Sequence, residues 1–396
     1  MNLQWTRSRW LGWVLGIGLA AAIFALLAGI ADRQPAAVPG RELEPGTSEM
    51  LRARVVEILE EGTLDQGDFQ QPYQRLKIRI SEGDLAGQEV DVEYGLLSLA
   101  SQSRMFRRGD RVLMEHLRTI EGEDRYLVTD HIRTGPLLWL TLIFMAATIL
   151  LSGWQGVRSL IGMGISLLVI VAFIVPQILA GRNPVGVSIL GSVVMMGLSL
   201  YLVYGWNRKS HVAVVGLLVS LILTGLVATW FVDWARLSGF GAEEAGFLQI
   251  AGFSLDPRGL LLAGIIIGSL GALDDVAIGQ SSAIFELSKA NEQLAWRQLF
   301  RHGMVIGRDH IAAMVNTLLL AYVGAALPFL LLFSVYSEPL AMTLNRQIIA
   351  EEIVRTLVGS LGLLSGVPLT SLVAALAARG RVQAGNGPGA TPAVAD

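Results

Sequence analysis

Apolar residues run through this chain in long stretches. Eight of them read as membrane helices, at residues 11–30, 137–152, 160–180, 185–205, 212–232, 259–282, 311–333 and 356–378. About 30 Å of hydrocarbon at 1.5 Å per residue asks for roughly 20 apolar residues. The second stretch is short. The first follows Arg7 and Arg9, as in a secretory signal, but it outruns a signal h-region, and Gly29-Ile30-Ala31 is a poor cleavage site. It reads as a retained anchor over residues 1–31.

The pattern changes between the first two stretches. Residues 32–50 carry Pro35, Pro39 and Pro45 and read as a linker. Residues 51–134 then offer five strand-like segments, at 51–59, 75–81, 88–94, 110–117 and 125–132. Leu76-Lys77-Ile78-Arg79-Ile80 and Val90-Asp91-Val92-Glu93-Tyr94 alternate with period two, as half-buried strands do. Glycines punctuate the segments. The expected fold is an α-helical polytopic membrane bundle of about eight helices. A small β-barrel-like, OB-like domain outside the cytoplasm is inserted between helices 1 and 2. Residues 135–379 would form a seven-helix membrane domain, and 380–396 a disordered cytoplasmic tail.

Composition supports the membrane reading. Hydrophobic residues make up 53% of the 396 and charged residues 16%, against about 25% charge in soluble domains. Net charge is −3. The β segment carries twelve Lys/Arg against sixteen Asp/Glu, so nucleic acid is not an expected partner. The lipid bilayer is one, and an envelope protein could dock on residues 51–134. Cysteine is absent, which excludes disulfides and thiolate sites. With the N-terminus cytoplasmic, eleven Lys/Arg fall in the inner short loops and tails and five in the outer ones. That places both termini inside and the β domain outside.

The sixth stretch carries the candidate chemistry. Asp274 and Asp275 sit within an apolar helix, where each ionised Asp costs about 2.5–3.5 kcal/mol on the insertion scale. Gly264, Gly268, Gly271, Asp275, Gly279, Ser282 and Glu286 follow one another at steps of three and four. They form one small-residue face, expected to turn Asp275 toward the bundle interior. Asp274 lies about 100° away on the wheel. The two aspartates are candidates to bind a proton or cation. The other reading is a structural carboxylate bonded to a neighbouring helix. In the seventh stretch Asp309 and Asn316 are seven apart and share a face. Asn316 and Asp275 both fall about 10 Å from the inner surface and could meet if the helices are neighbours. Arg308 and His310 read as interfacial residues. Pro176, Pro328 and Pro368 interrupt apolar runs and are candidate helix breaks. No cofactor motif is present: there is no Walker lysine loop, HExxH, GxSxG or S-x-x-K.

Gly271-Ala-Leu-Asp-Asp-Val276 with Gln280-Ser-Ser282 and Glu286 is one notable motif. Gly307-Arg-Asp-His-Ile-Ala-Ala-Met-Val-Asn-Thr317 with Leu320-Ala-Tyr322, Gly324 and Leu327-Pro328 is the other. On these the chain resembles the YibE/F family of bacterial multi-pass membrane proteins, from about residue 51 to 378. The resemblance implies the bacterial cytoplasmic membrane and carries no settled activity. Leu273-Asp-Asp-Val276 with Glu286 is also similar to the paired-aspartate helix of RND-type exporters and their Sec-accessory relatives. That likeness implies proton-carrying aspartates. The chain departs from them in having one small outer domain, no second copy and no evident intramembrane Lys partner. Three functions are therefore weighed. The first is a proton- or cation-coupled transporter or exporter. The second is a non-transporting scaffold or envelope assembly factor whose β domain binds a partner. The third is a lipid-acting enzyme with Asp274, Asp275, Asp309 and His310 around a metal.

Overall fold

The structure is a computed structural model that describes residues 48–66, 69–95, 105–119, 123–241, 243–250, 255–335 and 339–378. The expected anchor, nearly all of the linker and the C-terminal tail lie outside the described residues. The described chain divides into two compact units, 48–150 and 151–378.

The first unit is built on a curled antiparallel sheet. Its strands are β1 (Ser48–Gln66), β2 (Phe69–Ile80), β3 (Glu89–Tyr94), β4 (Arg111–Arg118) and β5 (Asp124–His131), in the order β3-β2-β1-β4-β5. All five expected strands are present, and the first two run longer than the alternation indicated. β1 serves two partners. Ser48–Arg54 pairs with β4, and Ala53–Gln66 pairs with β2. Register shifts between Val55 and Glu57 and between Ile58 and Glu60 fall where one partner gives way to the other. Such bulges bend a strand and increase its twist, so the sheet curls over one face. That face holds Leu51, Ala53, Val55, Leu76, Ile78, Ile80, Val92, Val112 and Met114, all buried. The core is closed at one end by the buried Gln74 amide. It donates to the Phe106 carbonyl at 3.0 Å and accepts from the Phe106 N–H at 2.8 Å.

The helices are α1 (Thr134–Val169), α2 (Val175–Leu179), α3 (Pro184–Tyr204), α4 (Arg208–Trp234), α5 (Glu243–Ile250), α6 (Pro257–Ala290), α7 (Trp296–Ala325), α8 (Leu327–Val335), α9 (Leu340–Asn345) and α10 (Gln347–Ala378). Among the described residues six helices are long and apolar enough to cross a membrane. The first of these, Thr134–Leu179, counts α1 and α2 together and is 46 residues long. At 1.5 Å per residue that is roughly 69 Å, more than twice the hydrocarbon thickness. Gly153 divides it, at φ 58 and ψ −133, between the two stretches expected at 137–152 and 160–180. Positive φ there favours glycine. The expected count of eight is therefore six recognised helices, one of which holds two stretches, and one stretch outside the described residues.

The three expected helix breaks fare differently. A π-helical turn, Ile170–Ile174, precedes Pro176, which sits in the first turn of α2. Pro328 opens α8 after the chain leaves α7 at Ala326, so the stretch expected at 311–333 is two helices. Pro368 breaks nothing, because α10 continues through it.

In the second unit α4, α6 and α10 pack together, with α3 against α6 and α7 against both α6 and α10. The α4–α10 contact is made by small residues in antiparallel register. Gly216 faces Thr370, Ser220 faces Gly366, and Thr224 faces Gly362. The steps are four residues on each helix, one turn apart. Ser220 and Thr224 donate their hydroxyls to their own helix, to the Gly216 and Ser220 carbonyls at 2.8 Å each. They cross the interface as small, satisfied groups. The outward faces are apolar, with Leu190, Leu198, Val219, Ile222, Leu226, Leu357, Leu361 and Leu376 exposed, as lipid-facing helices require. Trp206 and the pair Trp230 and Trp234 stand exposed near opposite ends of α4, the placement of interfacial aromatics.

Gly362→Val places a branched side chain against Thr224 and separates α4 from α10. We expect a loss of about 1–3 kcal/mol, read as a lower unfolding temperature of the full chain in detergent. Adding Thr224→Ala should recover part of that loss, and a variant pair without recovery would contradict the close approach described.

Candidate functional site

α6 is the most enclosed of the candidate spans. It starts cleanly: Pro257 occupies the first turn and Asp256 caps it, accepting from the Arg258 N–H at 3.2 Å. Its interior side carries Ile266, Leu273, Ala277 and Ile284, all buried. These pack against α3, α4, α7 and α10. The small-residue stripe is on the other side. Gly264, Gly268, Gly271, Asp275, Gly279 and Glu286 are all exposed, and Ser282 is half-buried. The expectation that this stripe turns Asp275 inward is corrected. A period of three and four defines a face without saying which neighbour covers it. The bundle meets α6 through its branched apolar face, and close approach happens between α4 and α10 instead. Only Gly268 has a near neighbour on the stripe: a Cβ there would lie 3.1 Å from the Tyr322 hydroxyl of α7.

Asp274 is the enclosed member of the pair. Its side chain is half-buried, and its Oδ1 is sealed from solvent with no hydrogen-bond partner. Tyr204, at the end of α3, lies within electrostatic range of both aspartates. Tyr204 also lines a cavity of about 550 Å³ between the end of α3, the start of α4 and the last turns of α6. The α6 wall of this cavity is Ile278, Ser282, Phe285 and Lys289, at steps of four, three and four. One further step of four toward the helix start reaches Asp274. The unpartnered carboxylate therefore shares that face of α6, one turn beyond the residues that line the cavity.

Several other polar groups in the helices are committed, although the hydroxyls of Ser188, Ser192 and Thr370 are, like Asp274 Oδ1, buried without a partner. Gln280, buried, donates to the Gly303 carbonyl of α7 at 2.6 Å and to the Ser371 hydroxyl of α10 at 2.8 Å. Gly303 and Gly307 leave room for that amide. Ser281 donates to the Lys209 carbonyl at 2.9 Å. Glu286 is held by Lys209 and, at 3.0 Å, by Lys289. Glu351, buried on α10, accepts at one oxygen from the N–H groups of Gly239 and Gly241, each at 3.1 Å, and from Gln347 at 2.7 Å. It clamps the loop that follows α4. Gly239 has φ +84 and sits against the Pro257 carbonyl, and Gly241 sits against the Glu351 carboxylate, so neither position has room for a side chain.

Asp309 and Asn316 share the exposed side of α7. None of the hydrogen bonds among the described residues joins either one to Asp274 or Asp275. The inward side of α7 is Gly303, Gly307, Ile311, Met314 and Val315. Arg308 and His310 are exposed. No group of three or more His, Asp or Glu side chains among the described residues is placed to hold a metal ion.

The model of the YibE/F-like protein family matches residues 140–380. The chain belongs to the YibE/F family. The match takes in the helices that carry the aspartates, Gln280 and the cavity, and it stops short of the sheet, although the resemblance was expected to extend to residue 51. Among curated proteins and among solved structures no match is found. Within this YibE/F chain, Gln280 and Glu351 were not singled out as structural anchors from the sequence. Gln280 had a signal, being a long amide in an apolar helix. Glu351 had none beyond its place next to Glu352.

Glu351→Ala leaves the buried Gly239 N–H and the half-buried Gly241 N–H without their acceptor, while Gln347 keeps Ser238. A loss of about 1–3 kcal/mol is expected, measured as thermal unfolding in detergent. Limited proteolysis should rise first in the loop at residues 235–241, and an unchanged loop would show that the clamp is dispensable.

Proposed function

We propose that this YibE/F protein is a proton- or cation-coupled secondary transporter or exporter, and that Asp274 carries the coupling ion with Asp275 as its neighbour. The observation that supports this reading is the Asp274 carboxylate, with one oxygen buried and unpartnered, one helical turn from the Ile278 wall of a cavity. A buried polar group without a partner costs free energy. A carboxylate retained only for structure would be expected to hold donors, as Glu286 and Glu351 do. Ionisable groups at membrane depth mark ion pathways. Binding a proton or cation neutralises the buried charge and so favours a different packing of the helices around it. Asp309 and Asn316 of α7 would join this site only in another arrangement of α7.

In this reading the protein sits in the bacterial cytoplasmic membrane with both termini inside. The end of the bundle bearing Arg208, Lys209, Lys289, Arg297 and Arg301 faces the cytoplasm, and the sheet lies outside. We further infer that the sheet is an OB-like barrel. β3 and β5, at the two edges of the order β3-β2-β1-β4-β5, come close to each other, and a β3–β5 seam would close it. That a partner docks on this barrel is the second reading, in which the protein is a scaffold and the aspartates carry no ion.

A hydrophobic carbodiimide, which attacks protonated carboxyls in apolar surroundings, distinguishes the two. Purified protein labelled from about pH 5 to 9 and mapped by mass spectrometry should react at Asp274. Labelling should fade as pH rises or as the coupling cation is added, because both remove the protonated form. Asp274→Asn should abolish the labelling while leaving the unfolding temperature unchanged or higher, since no hydrogen bond is lost. Absence of labelling with the peptide detected, or a destabilised Asp274→Asn, would overturn ion coupling.

A further inference from the structure

The cavity beside Asp274 has a second property, which holds whether or not the aspartate carries an ion. Its walls divide by chemistry. Arg208, Lys209 and Lys289 supply positive charge, and Ile278 and Phe285 supply apolar surface. Glu286 is the nearby acidic group that the lysines bind, and it holds both of them at once. Arg208 forms no ion pair among the described residues and is exposed at the cavity wall. Three cations against one carboxylate leave uncompensated positive charge at the end of a bundle of apolar helices. The volume, about 550 Å³, is that of a site for a small organic molecule or a lipid headgroup.

We propose that this cavity binds a phosphate-bearing amphiphile, with the phosphate on Arg208 and Lys289 and the apolar part against Ile278 and Phe285. The guanidinium fork matches two phosphate oxygens, and the ammonium adds a point charge. The bridge from Lys209 through Glu286 to Lys289 ties the start of α4 to the end of α6. It thereby joins two residues of the cavity wall, Lys209 and Lys289. Asn207 keeps the start of α4 in place, its Oδ1 accepting from the Ser210 N–H at 3.0 Å. Tyr204 also lines the cavity and lies within electrostatic range of Asp274 and Asp275, so a second anion would meet repulsion on that side. The ligand is thus monoanionic or zwitterionic at the basic residues and apolar against Ile278 and Phe285. Basic pockets between membrane helices take anionic headgroups by this chemistry, and a soluble phosphate ester would satisfy the polar half alone.

Native mass spectrometry of the full chain released from detergent, after equilibration with phosphatidylglycerol or with phosphatidylcholine, reads the lipid. Thermal shift with inorganic phosphate and with glycerol phosphate reads the soluble anion. We expect one tightly held phosphatidylglycerol, weakened about tenfold or more in Arg208→Ala/Lys289→Ala and weakened less in Arg208→Lys, which keeps the charge and loses the fork. Ser282→Phe, which keeps every charge and fills the cavity, should also displace it, so a folding defect in the double variant does not decide the matter. A shift with glycerol phosphate that the same variants remove would support the site with a soluble source. Binding of neither, or binding equal in wild type and both cavity variants, would overturn the proposal.

Discussion

Close approach of backbones is what the bundle rests on. Lipid tails are as apolar as leucine, so burial against another helix gains little, and helices hold together by packing where their surfaces allow contact. Here the enabling surface is the antiparallel run of Gly216 with Thr370, Ser220 with Gly366, and Thr224 with Gly362. Because α4 and α10 meet at so short a distance, α6 can lie against both and bury one whole side. Gln280 then ties α6 to α7 and α10. The rotation of α6 about its axis is set by these contacts. That rotation decides that Asp274 faces the α3–α4 side and Asp275 the open side.

The carboxylates of the helices show how unusual Asp274 is in this company. Glu351 receives three donors and Glu286 two lysines. Glu352 pairs with Arg355 at 3.0 Å, Asp233 pairs with Arg258, and Asp256 caps α6. Each has a mechanical task that its partners define. Asp274 has an enclosed oxygen and no partner, in the helix where an unpaired charge is least easily tolerated. A group that is costly and structurally idle needs another explanation, and ion binding supplies one with the same atoms.

Much of the architecture was legible because periodicity reports it directly. Alternation over 76–80 and 90–94 located β2 and β3, and apolar length located the helices. Periodicity failed where the answer depends on a partner distant in sequence. The stripe through Gly264 and Asp275 has the spacing of a packing face, yet the faces that pack closely are on α4 and α10, with facing residues 138 to 154 apart in sequence. Their small residues are mixed with leucines and valines and look unremarkable one helix at a time. Glu351 was missed for the same reason. Its partners at Gly239 and Gly241 lie 112 and 110 residues away, and only the folded chain brings three donors to it. The lengths of β1 and β2 were underread because their outer halves form a two-stranded ribbon with little alternating core.

The adjacency of the two aspartates bears on how an ion could move. Consecutive residues on a helix differ by about 100° in direction and only 1.5 Å in height. Asp274 and Asp275 thus address two sides of α6 at one depth, one toward the basic cavity and the other toward the open stripe. Two like charges that close, in a medium of low dielectric, are costly to hold together. An ion passing from cavity to stripe would need no translation along the helix, only transfer around it. The stripe itself offers little obstruction, since Gly264, Gly271 and Gly279 have no neighbour within 4 Å of a Cβ. A helix arriving on that side could approach closely and cover Asp275, as the bundle already encloses Asp274. The glycines would then serve an approach that changes the exposure of one carboxylate, a use of close packing distinct from the fixed one between α4 and α10.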